Sequence, residues 1–283
     1  MPVEREDLIG ELRDAPTLPF IAAKLVNTIE NPASTALDVA RIVMSDQATS
    51  SSILRLANSA HFGLTRRVGT IKEAVVIVGF RNVQHIAIGI SVLREYLEAT
   101  DADAFDCRRL WLHTIAVGCA AKILAREVGA HEEEAFLCGL LHDLGKVFLA
   151  SRQPEEYGRA VGLSHEEDIT IWDAEQRTFG YNHAEVGEAA MAAWNLPDHV
   201  PAAARWHHDP RPERSHSEFI ALIHAGDCVA RRAHVGSPGD DLTVPVEPWV
   251  AEMLNLSEDR IEALRWEVSE AARDRWRALV PRG

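Results

Sequence analysis

The sequence has little cysteine and no close cysteine pair. Cys107, Cys119, Cys138 and Cys228 are spread along the chain without a CxxC spacing. Three of them fall in apolar helical patterns, where a reduced cysteine acts as a small hydrophobe, and this usage fits a reducing cytoplasm. Runs of Lys and Arg are also lacking, and the 283 residues carry a formal charge of -14. A phosphate backbone would be repelled over most of such a surface, which excludes general nucleic-acid binding. The N-terminus, MPVEREDLIGEL, is acidic and lacks the apolar centre of a signal peptide. The most hydrophobic stretch, AVVIVGFRNVQHIAIGISVL, is broken by Arg81, Asn82, Gln84 and His85. It is too polar to span a bilayer and reads as two buried helical pieces. No membrane role and a cytoplasmic location are the expectations. Tandem repeats and low-complexity tracts are absent, and VVIV is the one segment with strand composition.

Helical periodicity fills almost everything else, so the expected fold is all-α. Residues 1 to about 100 read as about five helices, with Ser34 or Thr35, then Thr70 with Glu73, as start signals. The acidic stretch EATDADAFD separates this part from the rest. Beyond it, RRLWLHTIAVGCAAKILAREVG reads as one long helix, and its Ala and Gly content implies close packing. EEEAFLCGLLHDLGKVFLA reads as another single helix, and NHAEVGEAAMAAWNLP begins at Asn182 with Glu185 as its capping-box partner. GSPGDD, at residues 236 to 241, reads as a flexible joint, and Ser257 caps a final amphipathic helix.

CGLLHDLGKVFLA places His142, Asp143 and Lys146 in an apolar setting. Burying imidazole, carboxylate and ammonium together costs several kcal/mol unless each has a partner. Other histidines and an aspartate occupy similar surroundings: His113 in LWLHTIAV, His183 after FGYN, His207 and His208 in WHHDP, and Asp227 in ALIHAGDCVA. Imidazole and carboxylate suit zinc, iron and manganese, and a metal site needs donors from several elements. Lys146, three residues beyond Asp143, can neutralise it or meet a bound phosphate. The remaining histidines have plainer readings. His61, His85 and His165 read as hydrogen-bonded core residues, and His131, His199, His216 and His234 as solvated or loop residues. His224 reads as a supporting partner one turn before Asp227.

The order of these residues resembles the HD superfamily of metal-dependent phosphohydrolases: His113, then His142-Asp143, then Asp227. Adding His183, His207 and His208 makes the set similar to the two-metal arrangement of the HD-GYP branch. The rest of the chain resembles a sister branch, the HDOD (HD-related output) domain. PTLPFIAAKLV, SDQATSSSILRLANSAHFG, IKEAVVIVGFRNVQ, GLLHDLGK, FGYNHAEVGEAAMAAWNLP and RWHHDP carry that resemblance. It covers residues 14 to 232, with a helical half at 14–100 packed on an HD-like half at 106–232, and leaves 241–283 as a helical extension.

The resemblance implies one or two divalent ions (Fe, Mn, Zn or Ni) held by His113, His142, Asp143 and Asp227, with Asp143 bridging to His183, His207 and His208. Two departures stand out. No Gly-Tyr-Pro loop follows His208, and Arg109 stands where a three-metal member has a glutamate. A third ion is therefore not expected. The function implied is a signal-transduction regulatory module with a metal-binding pocket and a signalling protein or small nucleotide as partner. The alternative is a phosphohydrolase acting on a nucleotide or cyclic di-nucleotide, with Asp143 and Lys146 in catalysis. Asn58 and Ser59 would form a helix-end motif, with a local backbone hydrogen bond as the simpler role.

Overall fold

A computed structural model describes residues 19–29, 31, 33–58, 67–99 and 105–279. Among these residues every regular element is a helix, including the VVIV stretch. His61 and Ser59 lie outside the described residues. The chain divides into two compact units, one formed by residues 17–95 with 270–283 and the other centred on residues 96–269.

The first unit holds α1 (Phe20–Ile29), α2 (Ala36–Met44), α3 (Gln47–Ala57), α4 (Ile71–Val78) and most of α5 (Phe80–Ala99). Thr35 closes a full capping box with Asp38 at the start of α2. Asp46 caps α3 through Thr49, so the Asp46-Gln47 pair serves as a helix start. Thr70 accepts from the Glu73 amide at the start of α4, but the Glu73 carboxylate takes the Gly69 amide instead of closing the box. Gly79, at φ +89°, lets the chain turn by 111° between α4 and α5. The two buried pieces expected from the sequence are thus a bent pair. No single helix among the described residues is long and apolar enough to cross a membrane; this pair reaches that mark together, by length and composition only. The Asn58 side chain reaches further than a local bond: it donates to the Leu54 and Val68 carbonyls and accepts from the Val68 amide.

The second unit is built on α6 (Cys107–Val128), which packs against α7 (Glu132–Leu141) and α13 (Ser217–Arg232). The close packing expected of α6 is present. A Cβ on Gly139 would fall 2.5 Å from the Gly118 Cα, so the two backbones touch. Lys122 of α6 also pairs with Glu133 of α7. Around this core lie α8 (Leu144–Arg152), α9 (Pro154–Glu167), α10 (Ile171–Phe179), α11 (His183–Ala193), α12 (His199–Trp206) and α14 (Pro248–Met253). The last helix, α15 (Glu258–Leu279), is capped by Ser257, whose hydroxyl accepts from the Arg260 amide. All four cysteines are buried and none forms a disulfide.

Besides the Glu73 box, three further sequence expectations need correction. EEEAFLCGLLHDLGKVFLA is two helices, α7 and α8, broken at His142-Asp143. Asn182 caps α11 by accepting from Ala184 and Glu185, but the Glu185 carboxylate pairs with Arg205 and closes no box. GSPGDD is no loose joint, because Asp240 is buried, accepts from the Ile171 amide and pairs with Arg231.

Candidate metal centre

The break between α7 and α8 creates the centre. Asp143 has φ -99° and ψ 11°, and its carbonyl accepts from the Lys146 amide at 3.0 Å. A continuous helix would splay His142 and Asp143 by about 100°. At the break their side chains lie together, with His142 Nε2 3.3 Å from Asp143 Oδ2. Lys146 is fully buried, and its ammonium donates to Asp143 Oδ2 at 2.7 Å. Of the two roles open to it in the sequence, it takes neutralisation of Asp143.

The other carboxylate oxygen faces histidines. His183 Nε2 lies 3.2 Å from Asp143 Oδ1 and His207 Nε2 lies 3.8 Å from it. His208 Nε2 meets His183 Nε2 at 3.1 Å. Two imidazole nitrogens that close need a proton or another cation between their lone pairs. His113 Nε2 sits 3.9 Å from Asp143 Oδ2 and 3.0 Å from Asp227 Oδ1. The structure therefore brings His113, His142, Asp143, Lys146, His183, His207, His208 and Asp227 to one place, from four helices and two turns.

Within that place two donor groups share Asp143. Asp143, His183, His207 and His208 form one; His113, His142 and Asp143 form the other. Asp227 belongs to neither. Arg231, one turn later on α13, holds its carboxylate through both oxygens at 3.0 Å and also pairs with Asp240. Glu175, which pairs with His183, joins the centre with Arg231 and Asp240 from beyond the sequence candidates. Glu175 carries a visible signal: it is fully buried on the apolar stripe Ile171, Ala174, Phe179 of α10. Arg231 carries one too, its i,i+4 spacing from Asp227. Asp240 carries none.

The donor set fits a divalent ion. His142 and His207 direct Nδ1 to the Gly139 and Ala204 carbonyls at 2.8 Å, and His183 directs Nδ1 to Glu175 at 2.6 Å. Such bonds fix the tautomer with the Nε2 lone pair turned inward, as metal-ligating histidines require. Among the described residues, Nε2 of His142 and His207 and Oδ1 of Asp143 have no hydrogen-bond partner although buried. Leaving such atoms unsatisfied is costly, and a cation satisfies them together.

The turn carrying His207 and His208 is held from behind. His224 Nδ1 donates to the His207 carbonyl at 2.8 Å, and its Nε2 accepts from the Glu247 amide at 3.1 Å. The Trp249 indole donates to the Pro210 carbonyl at 3.1 Å. His224 is thus the supporting residue its position suggested. His85 is buried, as expected, whereas His165 is no core residue and stands exposed beside Asp241. His199 is no solvated residue: it stacks on Phe219 with ring centroids 4.5 Å apart. Outside His208 a cavity of about 430 Å³ opens, lined by Trp172, Arg205, Trp206 and Arg211 among others.

Burial raises the Asp143 pKa, but His142 and then Lys146 outweigh it and hold the carboxyl well below 3.8. Asp227 behaves alike, with burial opposed by Arg231 and then His113. Burial, then His142, keeps His207 well below its ordinary 6.5, and burial, then His207, does the same to His208. Both are neutral and ready to ligate at neutral pH. Burial also lowers His183, but Glu175 opposes it and leaves the pKa raised.

These shifts set the acid side of stability in the metal-free chain. As pH falls below 6.5, unfolded chains take up protons that folded His207 and His208 refuse, so stability drops. His113 and His224 act in the same direction. His183 opposes them: its contribution is full below 6.5 and is lost as pH rises through its folded value. The carboxylates add loss only as pH falls below 3.8. Urea unfolding in chelator should show stability declining from pH 6.5 toward about pH 5. A flat profile there would contradict this assignment of neutral histidines.

Comparison with known proteins bears on the family and the fold. Residues 15–210 match the HDOD domain. An uncharacterized protein of Treponema pallidum (strain Nichols) is 32% identical over 219 residues, which is 76% of this chain and 42% of that protein. The chain thus spans less than half the length of that relative. The crystal structure of an HDOD domain protein of unknown function from Geobacter sulfurreducens superposes with a TM-score of 0.78 at 24% identity, covering 97% of both chains. A Shewanella amazonensis SB2B protein named "Putative phosphohydrolase" superposes with a TM-score of 0.75 at 23% identity, covering 96% of this chain and 98% of that one. At these identities the likeness shows the fold alone. By the domain match, which takes in more than half of its residues, the chain belongs to the HDOD domain family.

Proposed function

We propose that the chain is a regulatory signalling module whose buried pocket binds one divalent ion through Asp143, His183, His207 and His208. The observation that carries this reading is the inward convergence of unsatisfied Nε2 and Oδ1 atoms on residues already anchored from behind. A single ion is favoured over two because Asp227 is neutralised by Arg231 and one oxygen of Asp143 by Lys146. Their positive charges stand where a second ion would need bare carboxylates. When bound, the ion supplies Lewis acidity. The chain's own residues orient the donors: Glu175 holds His183, Ala204 holds His207, and Lys146 keeps Asp143 charged. A signalling protein is the proposed partner.

Chelator-stripped protein equilibrated anaerobically with Fe, Mn, Zn or Ni should take up about one ion per chain. Glu175→Gln should weaken that binding about 10- to 100-fold, by freeing the His183 ring. Metal content far below stoichiometric with every ion would end the reading.

A phosphohydrolase is the second reading, supported by the cavity outside His208 and its Arg205 and Arg211. Guanidinium groups suit phosphate oxygens. Nucleotide and phosphodiester hydrolysis by the metal-loaded chain, abolished in Asp143→Asn, would favour it over regulation alone. Equal background in both proteins would remove it.

A further inference from the structure

We infer that a second, separate cavity, in the unit formed by residues 17–95 and 270–283, binds the polyphosphate group of a small anion. This cavity has a volume of about 810 Å³, within the range of small-molecule pockets. Its lining includes Arg55, Arg67 and Arg277, with Asp274 the one carboxylate among the described lining residues. Three guanidiniums gathered around one cavity are out of character for a chain of formal charge -14. Over most of that surface a polyanion is repelled, so a local cationic cluster decides where one docks.

The arginines are also poorly neutralised. Arg55 donates to the Ala278 carbonyl at 2.7 Å and to the Ser52 hydroxyl at 2.9 Å, both uncharged acceptors. That contact caps the end of α15 and is a structural role, but it leaves the charge without a counterion among the described residues. Arg277, which is exposed, meets the half-buried Asp274 at 3.5 Å, a pairing of little worth. Among the described residues no carboxylate pairs with Arg67, which is exposed. The cavity wall is preformed, because Asn58 ties Val68 to α3 across ten residues and so sets Arg67 beside that helix. Leu54 and Val68 add an apolar side. Guanidinium forks match phosphate oxygens in geometry and charge, and an apolar wall next to them suits a sugar or base.

Two sources share this chemistry: an inorganic polyphosphate and a nucleoside polyphosphate. Titration calorimetry on the full chain, with chelator present to silence the metal centre, would use inorganic pyrophosphate, ADP and adenosine. Pyrophosphate and ADP are expected to bind, and adenosine is not. ADP binding tighter than pyrophosphate supports a nucleotide occupant, and equal binding supports the phosphates alone. The Arg67→Glu/Arg277→Glu variant should lose about 100-fold in affinity for both probes. Both side chains are exposed, so its thermal unfolding should match the parent; if it does not, the single Arg67→Gln variant should still lose about tenfold. No binding of either anion at millimolar concentration would overturn the inference. So would binding that the arginine variants leave unchanged, or adenosine binding as tightly as ADP.

Discussion

Asp143→Ala should abolish metal uptake and cost the metal-free chain about 3–5 kcal/mol of folding stability. The carboxylate is the shared member of both donor groups and the one anionic ligand of each, so its loss leaves only neutral imidazoles to face a divalent ion. It is also the acceptor for the Lys146 ammonium at 2.7 Å, in a position closed to solvent. Removing one partner of such a pair strands the other charge, which is far more damaging than losing a surface ion pair. Asp143→Ala/Lys146→Met should therefore recover most of the lost stability while still taking up no metal. Urea unfolding in chelator and elemental analysis would check the two halves independently. A single variant that unfolds like the parent, or that retains its ion, would contradict the structure's central contact.

Gly145→Ala should be nearly as damaging, by a steric route. A Cβ there would lie 1.9 Å from the His183 carbonyl oxygen and 2.8 Å from the Gly187 amide nitrogen. Both are backbone atoms and cannot rotate away, so α8 and α11 must separate. Overpacking of this kind costs on the order of 3 kcal/mol, and the displaced α11 carries His183 away from Asp143. Loss of melting temperature together with weakened metal binding is the expected result. Gly162→Ala on α9 is the matched control, because nothing lies within 4 Å of its Cβ position. There the helix should gain roughly 0.5–1 kcal/mol. If both variants behave alike, the close approach of α8 to α11 is wrong.

Helical periodicity and its stop signals make the all-α fold legible, because the apolar stripe and the caps are local properties of the chain. Thr35, Asp46, Thr70, Asn182 and Ser257 all cap helices, yet the return half of a box, expected at Glu73 and Glu185, is missing. Each of those carboxylates finds another donor, Gly69 in one case and Arg205 in the other. The break at His142-Asp143 is hard to read, since Leu141 and Leu144 on either side are good helix formers. The convergence of the histidines and aspartates is readable from residue type and order through the family resemblance. What holds them is harder to see. Glu175 advertises itself by standing on an apolar stripe, whereas Asp240 lies in a Gly- and Pro-rich segment that looks like solvent-exposed loop.

The supports of the His207-His208 turn lie downstream of the stretch that defines the family. The HDOD match ends at residue 210, but the imidazole of His224 and the indole of Trp249 anchor the carbonyls of His207 and Pro210. A polypeptide trimmed to the family boundary would carry every imidazole of the centre and none of this downstream scaffolding. Minimal versions of the module are thus the wrong material for measuring its affinity for ions.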